Sequence, residues 1–191
     1  MSQRDSGYER KERDLYETPA WVTEAVIPHL PFVDGRRVWE PACGSGKMLR
    51  VLSDRLGDVC GTDIDAGLGL VDTDFLACNK AHDVFGIVTN PPYVLAQEFC
   101  SHAIALMEPV AGFVAMLLRT DFDHAKTRQF LFSGCPPFSK KLVLTKRIQW
   151  FEDSKGSPSF NHAWFIWDWK HRGPPTLAYG PNTPADRKTE A

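Results

Sequence analysis

The sequence predicts an α/β fold in which a mostly parallel sheet ends in an antiparallel C-terminal hairpin, with helices on both faces. Three observations carry this prediction. Residues 37–63 read as a β-loop-α-β unit with a glycine loop at its first turn, and such a unit pairs its strands in parallel through a right-handed crossover. Two later stretches, Asp83 to Thr89 and Gly112 to Leu118, are apolar runs of the kind that strands buried on both faces require. After Thr120 the character changes, and Lys141 to Leu144 and Asn161 to Trp169 read as strands joined by a polar, glycine-containing loop, an antiparallel hairpin at the sheet edge.

The elements follow in order. Thr18 and Pro19, followed by Trp21, Val22, Ala25, Val26 and Leu30, supply an N-cap, a proline at the first helical position and apolar residues at helical spacing. Arg37 to Glu40 is a short strand stopped by Pro41, and Met48, Leu49, Val51, Leu52 and Leu56 line the next helix. Asp58 to Asp63 is a second strand ending on acid, and Phe99, Ala103, Leu106 and Met107 mark a third helix. Met1 to Arg13 is polar and charged, and the stretch from Arg172 to Ala191 is rich in Pro, Gly and charge without apolar periodicity. The expected organisation is therefore a flexible end over residues 1–13, one domain over 14–171, and a flexible tail over 172–191.

A chain of 191 residues that is 43% hydrophobic and 24% charged can bury the core of one ordinary domain. No window approaches the apolar length of a membrane span, and no signal-peptide core is present, so a soluble cytoplasmic protein is expected. Cys43, Cys60, Cys78, Cys100 and Cys135 form no C-x-x-C pair, which suggests neither a metal site nor a disulfide framework. A net charge of −2 requires any nucleic-acid contact to use a local basic face. Candidates are Arg119, His124, Lys126 and Arg128, then Lys140, Lys141, Lys146, Arg147 and Lys155.

The loop Glu40-Pro41-Ala42-Cys43-Gly44-Ser45-Gly46 would let backbone approach a ligand closely, since glycine has no Cβ. It matches neither the G-x-G-x-x-G dinucleotide fingerprint nor a P-loop, because Met48 follows Lys47. Asp63, at the end of the second strand, could accept hydrogen bonds from both hydroxyls of a ribose, with Asp65 the alternative. Asn90-Pro91-Pro92-Tyr93 follows a buried strand immediately. Its prolines fix an extended, rigid path, and the Asn90 side-chain oxygen with the Pro91 carbonyl can accept both N–H groups of a planar amino group. That pairing favours a pyramidal nitrogen whose lone pair faces an electrophile, while Tyr93 offers a stacking face. Positioning, not a general base, is the main requirement.

Taken together, Pro41-Ala42-Cys43-Gly44-Ser45-Gly46, Asp63, Asp74-Phe75 and Asn90-Pro91-Pro92-Tyr93, in this order, resemble class I S-adenosylmethionine-dependent amino-methyltransferases, especially adenine-N6 DNA methyltransferases, over roughly residues 14 to 170. The resemblance implies a Rossmann-like, seven-stranded sheet and S-adenosylmethionine as cofactor. It implies that Glu40, Ala42, Cys43, Gly44 and Gly46 cradle the cofactor. Asp63, with Ile64 beside it, would hold the ribose, and Asp74 and Phe75 would meet the cofactor adenine. Tyr16-Glu17-Thr18-Pro19 resembles the element that closes over the methionine part, implicating Tyr16, Thr18 and Pro19; its place upstream of the glycine loop matches the gamma motif order. Asn90 would serve both acceptor and cofactor, and Pro91, Pro92 and Tyr93 would complete the catalytic tetrapeptide. Substrate contacts would come from Tyr93, Arg119, Lys126, Asn161 and Phe160, with Trp150 and Phe151 as alternatives to Phe160 for stacking on an extruded base. The expected partner is nucleic acid, DNA first, with a separate specificity subunit or a homodimer to assist, since no target-recognition domain accompanies the motifs. Alternatives are the same chemistry on an RNA base or a glutamine amide, or a catalytically silent cofactor-binding module.

Overall fold

The order of strands in the sheet decides where a ligand can sit. The computed structural model describes residues 16–65, 71–81, 83–150 and 160–181. Eight strands form one sheet: β1 (Arg37–Glu40), β2 (Val59–Asp63), β3 (Val71–Asp72), β4 (Val84–Thr89), β5 (Phe113–Arg119), β6 (Phe138–Leu144), β7 (His162–Asp168) and β8 (Thr176–Gly180). Their order is β3-β2-β1-β4-β5-β7-β6-β8. Every neighbouring pair is parallel except those made by β7, which runs antiparallel to both β5 and β6. Chain direction reverses about β1, with β2 on one side and β4 on the other, and ligands of open α/β sheets bind outside the carboxyl ends of strands at such a switch point.

Strict alternation in β5 and β7 splits the core into two layers. Phe113, Ala115 and Leu117 with Trp164 and Ile166 face α1 (Ala20–Val26) and α2 (Lys47–Leu56), where Val22, Val26, Met48 and Leu52 cover them. Val114, Met116 and Leu118 with Phe165 and Trp167 face the opposite way, under Phe99, Ala103 and Met107 of α3 (Ala96–Met107). Both inner tryptophans satisfy their indole N–H: Trp164 donates to the Val22 carbonyl at 3.0 Å and Trp167 to the Leu131 carbonyl. A buried indole without a partner would cost a desolvation penalty, so these bonds also dock α1 and the turn at Leu131 onto β7. Gly86 of β4 is required by the first layer, because a Cβ there would lie 2.2 Å from the Phe113 ring.

Several expectations are corrected. Among the described residues the sheet has eight strands, not seven. The segment from residue 172, read as a flexible tail from its composition, carries β8, which pairs in parallel with β6 from Lys140↔Thr176 to Leu144↔Gly180. Pro174, Pro175 and Pro181 flank that strand without interrupting its ladder, as an edge strand tolerates. The hairpin of β6 and β7 therefore lies inside the sheet, with β8 at the edge. Short β3 was also unforeseen. Pro19, not Thr18, occupies the N-cap of α1, extended at ψ 146°. The expected flexible end over residues 1–13, and residues 182–191 of the tail expected over 172–191, lie outside the described residues.

Candidate active site

The carboxyl ends of β2, β1 and β4 stand side by side, and each carries an acid or amide. Glu40 ends β1, Asp63 ends β2, and Asn90 follows β4 directly. The glycine loop leaves Glu40 and feeds α2, with Gly44 at φ 50° and Gly46 at φ 79°; both lie in the left-handed region that side chains disfavour. Loop and strand are tied together. The Gly44 N–H donates to Asp63 Oδ2 at 2.8 Å, the Cys43 N–H to the Thr62 carbonyl at 3.0 Å, and the Asp65 N–H to Asp63 Oδ1 at 3.1 Å. Asp63, rather than Asp65, thus sits against the loop. Each of its oxygens accepts one backbone bond and retains a second lone pair for a ligand hydroxyl.

Glu40 is 2% exposed, and no hydrogen bond reaches its Oε2. Burial, helped by nearby Asp63 and opposed by a backbone N–H of Leu49, holds its carboxyl well above the usual carboxylate range. Cys43 is buried in the loop, where desolvation and the neighbouring acids push its thiol up to about 12, which makes it a packing residue and not a nucleophile. Ile64 projects into solvent beside Asp63 at 64% exposure. Asp74 caps the turn Phe75–Ala77 by accepting from the Leu76 N–H at 3.0 Å. The Phe75 ring turns into the core against Trp39, Phe99 and His102, so only its backbone is left to meet a ligand.

The segment before α1 bridges the two halves of this rim. Glu17 accepts from the Ser45 hydroxyl and pairs with Lys47 Nζ at 2.6 Å, fastening the segment to the glycine loop. On the other side, Asn90 Nδ2 donates to the Tyr16 carbonyl at 3.2 Å. This bond fixes the amide orientation and leaves Asn90 Oδ1 buried with no hydrogen bond. A buried acceptor without a partner is costly, and an amino donor brought to the end of β4 would satisfy it. Thr18 is buried and Pro19 half-buried between these contacts. Glu17, Ser45 and Lys47 were not singled out in the sequence as functional, although Glu17 lies within the Tyr16-Glu17-Thr18-Pro19 motif.

Four rings gather next to Asn90. Tyr93 opens the turn Tyr93–Leu95 and stacks with Tyr16 at 5.9 Å and 29° and with His162 at 6.0 Å and 26°. Its hydroxyl is 3.0 Å from His162 Nε2. Trp150 sets its plane across Tyr16, Tyr93 and His162 at centroid distances of 5.6, 6.4 and 5.3 Å. His162 is buried, and desolvation, then the Arg119 charge, lower its pKa to about 4 against weaker support from the Phe160 carbonyl and Asp121. The ring is neutral at physiological pH.

The structure brings Trp150 and not Phe160 into this cluster; the Phe160 ring instead lies under the Arg119 guanidinium, 4.2 Å away. Arg119 also forks onto Asp121 at 3.1 and 2.9 Å, and Arg147 donates to the Asn161 side chain at 3.0 Å. Phe151 lies outside the described residues, as does Lys155. Of the expected basic face, Lys141 is spent on Asp123 and the Thr120 carbonyl, and Arg128 on the Phe122 carbonyl and ring. Lys126, Lys146 and Arg147 are exposed. Among the described residues, no helix is long and apolar enough to cross a membrane.

No family model matches the sequence, and no curated protein does. Solved structures do match its fold. A protein of Listeria monocytogenes assigned to the class I S-adenosylmethionine-dependent methyltransferases is 16% identical, with a TM-score of 0.65 over 88% of this chain and 67% of that one. The 23S rRNA methyltransferase ErmE gives 19% identity and a TM-score of 0.53 over 82% and 68%. The methyltransferase subunit of a type I restriction-modification system from Streptococcus thermophilus gives 13% and 0.56 over 80% of this chain and 43% of that subunit. The chain therefore has the Rossmann-like fold of class I methyltransferases.

Proposed function

We propose that this chain is an S-adenosylmethionine-dependent N-methyltransferase that acts on the exocyclic N6 amino group of adenine in DNA. The observation that carries the reading is the buried, unbonded Asn90 Oδ1, held toward the rim because Nδ2 is engaged by the Tyr16 carbonyl. A site that binds an amino group needs such an acceptor, and the adjoining Pro91 carbonyl supplies the second.

The residues at the switch point fit the cofactor. Gly44 and Gly46 turn the loop through the left-handed region, Asp63 offers lone pairs to ribose hydroxyls, Ile64 offers an apolar face, and Asp74 and the Phe75 backbone flank an adenine. Glu40 has a buried carboxyl oxygen still to be satisfied. Glu40, Ala42 and Cys43 line the methionine side, with Tyr16, Thr18 and Pro19 closing over it. Bound S-adenosylmethionine supplies an electrophilic methyl group on a sulfonium sulfur. Asn90 and the Pro91 carbonyl draw both amino hydrogens into hydrogen bonds and direct the nitrogen lone pair outward, while Pro92 keeps the loop rigid. Tyr93 and Trp150 enclose the base plane. The proton leaves after transfer, so His162, neutral and paired with Tyr93, has no basic duty.

Exposed Lys126, Lys146 and Arg147 suit a phosphate backbone, with Arg119, Phe160 and Asn161 next to the rim. A restriction-modification methyltransferase subunit among the fold neighbours is in keeping with a DNA substrate in the cytoplasm, bound by one catalytic domain that runs through β8. Sequence recognition falls to residues after Thr120, to a specificity subunit or to a second copy. Extruding the base from a duplex costs a few kcal/mol, so single strands are easier substrates.

The test is transfer from methyl-labelled S-adenosylmethionine to duplex DNA, single-stranded DNA, RNA and a protein extract, with mass spectrometry of the digests. N6-methyladenine in DNA is expected. Label confined to RNA or to glutamine would refute the acceptor, and cofactor binding without any transfer would refute the enzyme.

A further inference from the structure

We infer that His162 is a positioning residue for the acceptor base, acting through Tyr93; the inference rests on the reading of Asn90-Pro91-Pro92-Tyr93 as the amino-acceptor site. A histidine is costly where His162 lies. It opens β7, opposite Arg119 of β5 in the ladder, and is 2% exposed, continuous with the buried run Ala163 to Trp167. A phenylalanine would fill the same space without desolvating ring nitrogens. What the imidazole adds is one specific bond, between Nε2 and the Tyr93 hydroxyl at 3.0 Å.

That bond matters because of where Tyr93 is rooted. Its backbone lies in a 3-10 turn after two prolines, with exposed Val94 and Leu95 following, and its ring meets Tyr16, Trp150 and His162, residues distant in the chain. The hydroxyl is the atom of the side chain farthest from its Cα, and fixing it to a strand of the sheet core sets the direction of the ring axis, while Tyr16 and Trp150 packed against the ring set its plane. Trp150 closes the edge of both rings. A base stacked on Tyr93 thereby takes its depth relative to Asn90 Oδ1 from β7, an element that carries no part of the acceptor motif.

The experiment compares wild type, Tyr93→Phe, His162→Phe and the double variant for kcat and KM toward the DNA acceptor, alongside cofactor Kd and Tm. Each single change is expected to lower acceptor kcat/KM by roughly tenfold, within the range that small misplacement produces, with cofactor Kd unaltered. The double variant should lose no more than the worse single one, because both remove the same bond. Losses that multiply, or a Tm change with kcat/KM intact, would overturn the inference while leaving the proposed function standing. Should His162→Phe fail to fold, Tyr93→Phe alone must show the acceptor-specific loss. A wild type that labels no acceptor refutes the proposed function itself, and the inference with it.

Discussion

Acidification measures how firmly the fold keeps His162 neutral. The imidazole titrates near 6.5 when free and is lowered to about 4 in the folded protein. Above pH 6.5 it is neutral in both states and contributes no pH dependence. Between 6.5 and about 4 the unfolded chain binds a proton that the native chain refuses, so native stability falls as pH falls; below about 4 this contribution levels off. The gap in pKa, at about 1.4 kcal/mol per unit, makes the total loss ~3 kcal/mol. Urea unfolding of wild type and His162→Phe across this range is the assay, since the difference between the two curves cancels the other titrating groups. Glu40 is one of these, and it acts with opposite sign: its carboxyl is raised, so it favours the native state at low pH and opposes it as pH rises above the ordinary carboxylate value. The wild type should lose ~3 kcal/mol more than His162→Phe on going from neutral pH to 4. Parallel curves would refute the claim that burial and Arg119 hold the ring neutral.

Three further changes separate the parts of the site. Asn90→Ala should reduce kcat by about 100-fold or more, the scale of losing a group that positions reactants, while cofactor Kd measured by calorimetry rises by no more than about tenfold, the scale of the one hydrogen bond lost to the Tyr16 carbonyl; a kcat close to wild type would remove Asn90 from the acceptor role. Asp63→Ala should weaken cofactor binding by about 1.5–3 kcal/mol, the range for hydrogen bonds to a charged group, and equal affinity would remove Asp63 from the ribose role. Glu17→Ala releases the segment Tyr16 to Pro19 from Ser45 and Lys47; a partly exposed pair of this kind contributes up to about 1 kcal/mol, so cofactor Kd should rise by roughly fivefold with Tm little changed.

What the sequence revealed divides along physical lines. The β-loop-α-β unit and the buried strands were readable because apolar runs and a glycine loop are local signals. The strand ends bearing Glu40, Asp63 and Asn90 were readable for the same reason. Strand β8 was not, since Thr176 to Gly180 lies among prolines and its stability comes from β6, a partner more than 30 residues away in the chain. The choice between Trp150 and Phe160 was equally hidden. Both are aromatic residues near the β6–β7 connection, and only the register Arg119↔His162 shows that His162 faces Tyr93 while Phe160 takes the guanidinium. Glu17 escaped notice because its partners sit 28 and 30 positions downstream, beyond β1 in the chain.

The position of β7 between β5 and β6 also constrains how the chain assembles. After β1, the strands β2, β4 and β5 can pair as they are synthesised, because each lies beside one that is already made. β6 ends at Leu144 and has no partner until β7 begins at His162, so for that interval it presents two bare edges. When β7 inserts, it satisfies β5 and β6 at once and brings His162 to Tyr93 in the same step, while β8 covers the remaining edge only later. The acceptor side of the rim is thus among the last parts to form, after the glycine loop and Asp63 have their final neighbours. In a nascent or partly denatured chain, the cofactor half should acquire its shape before the half that holds the base.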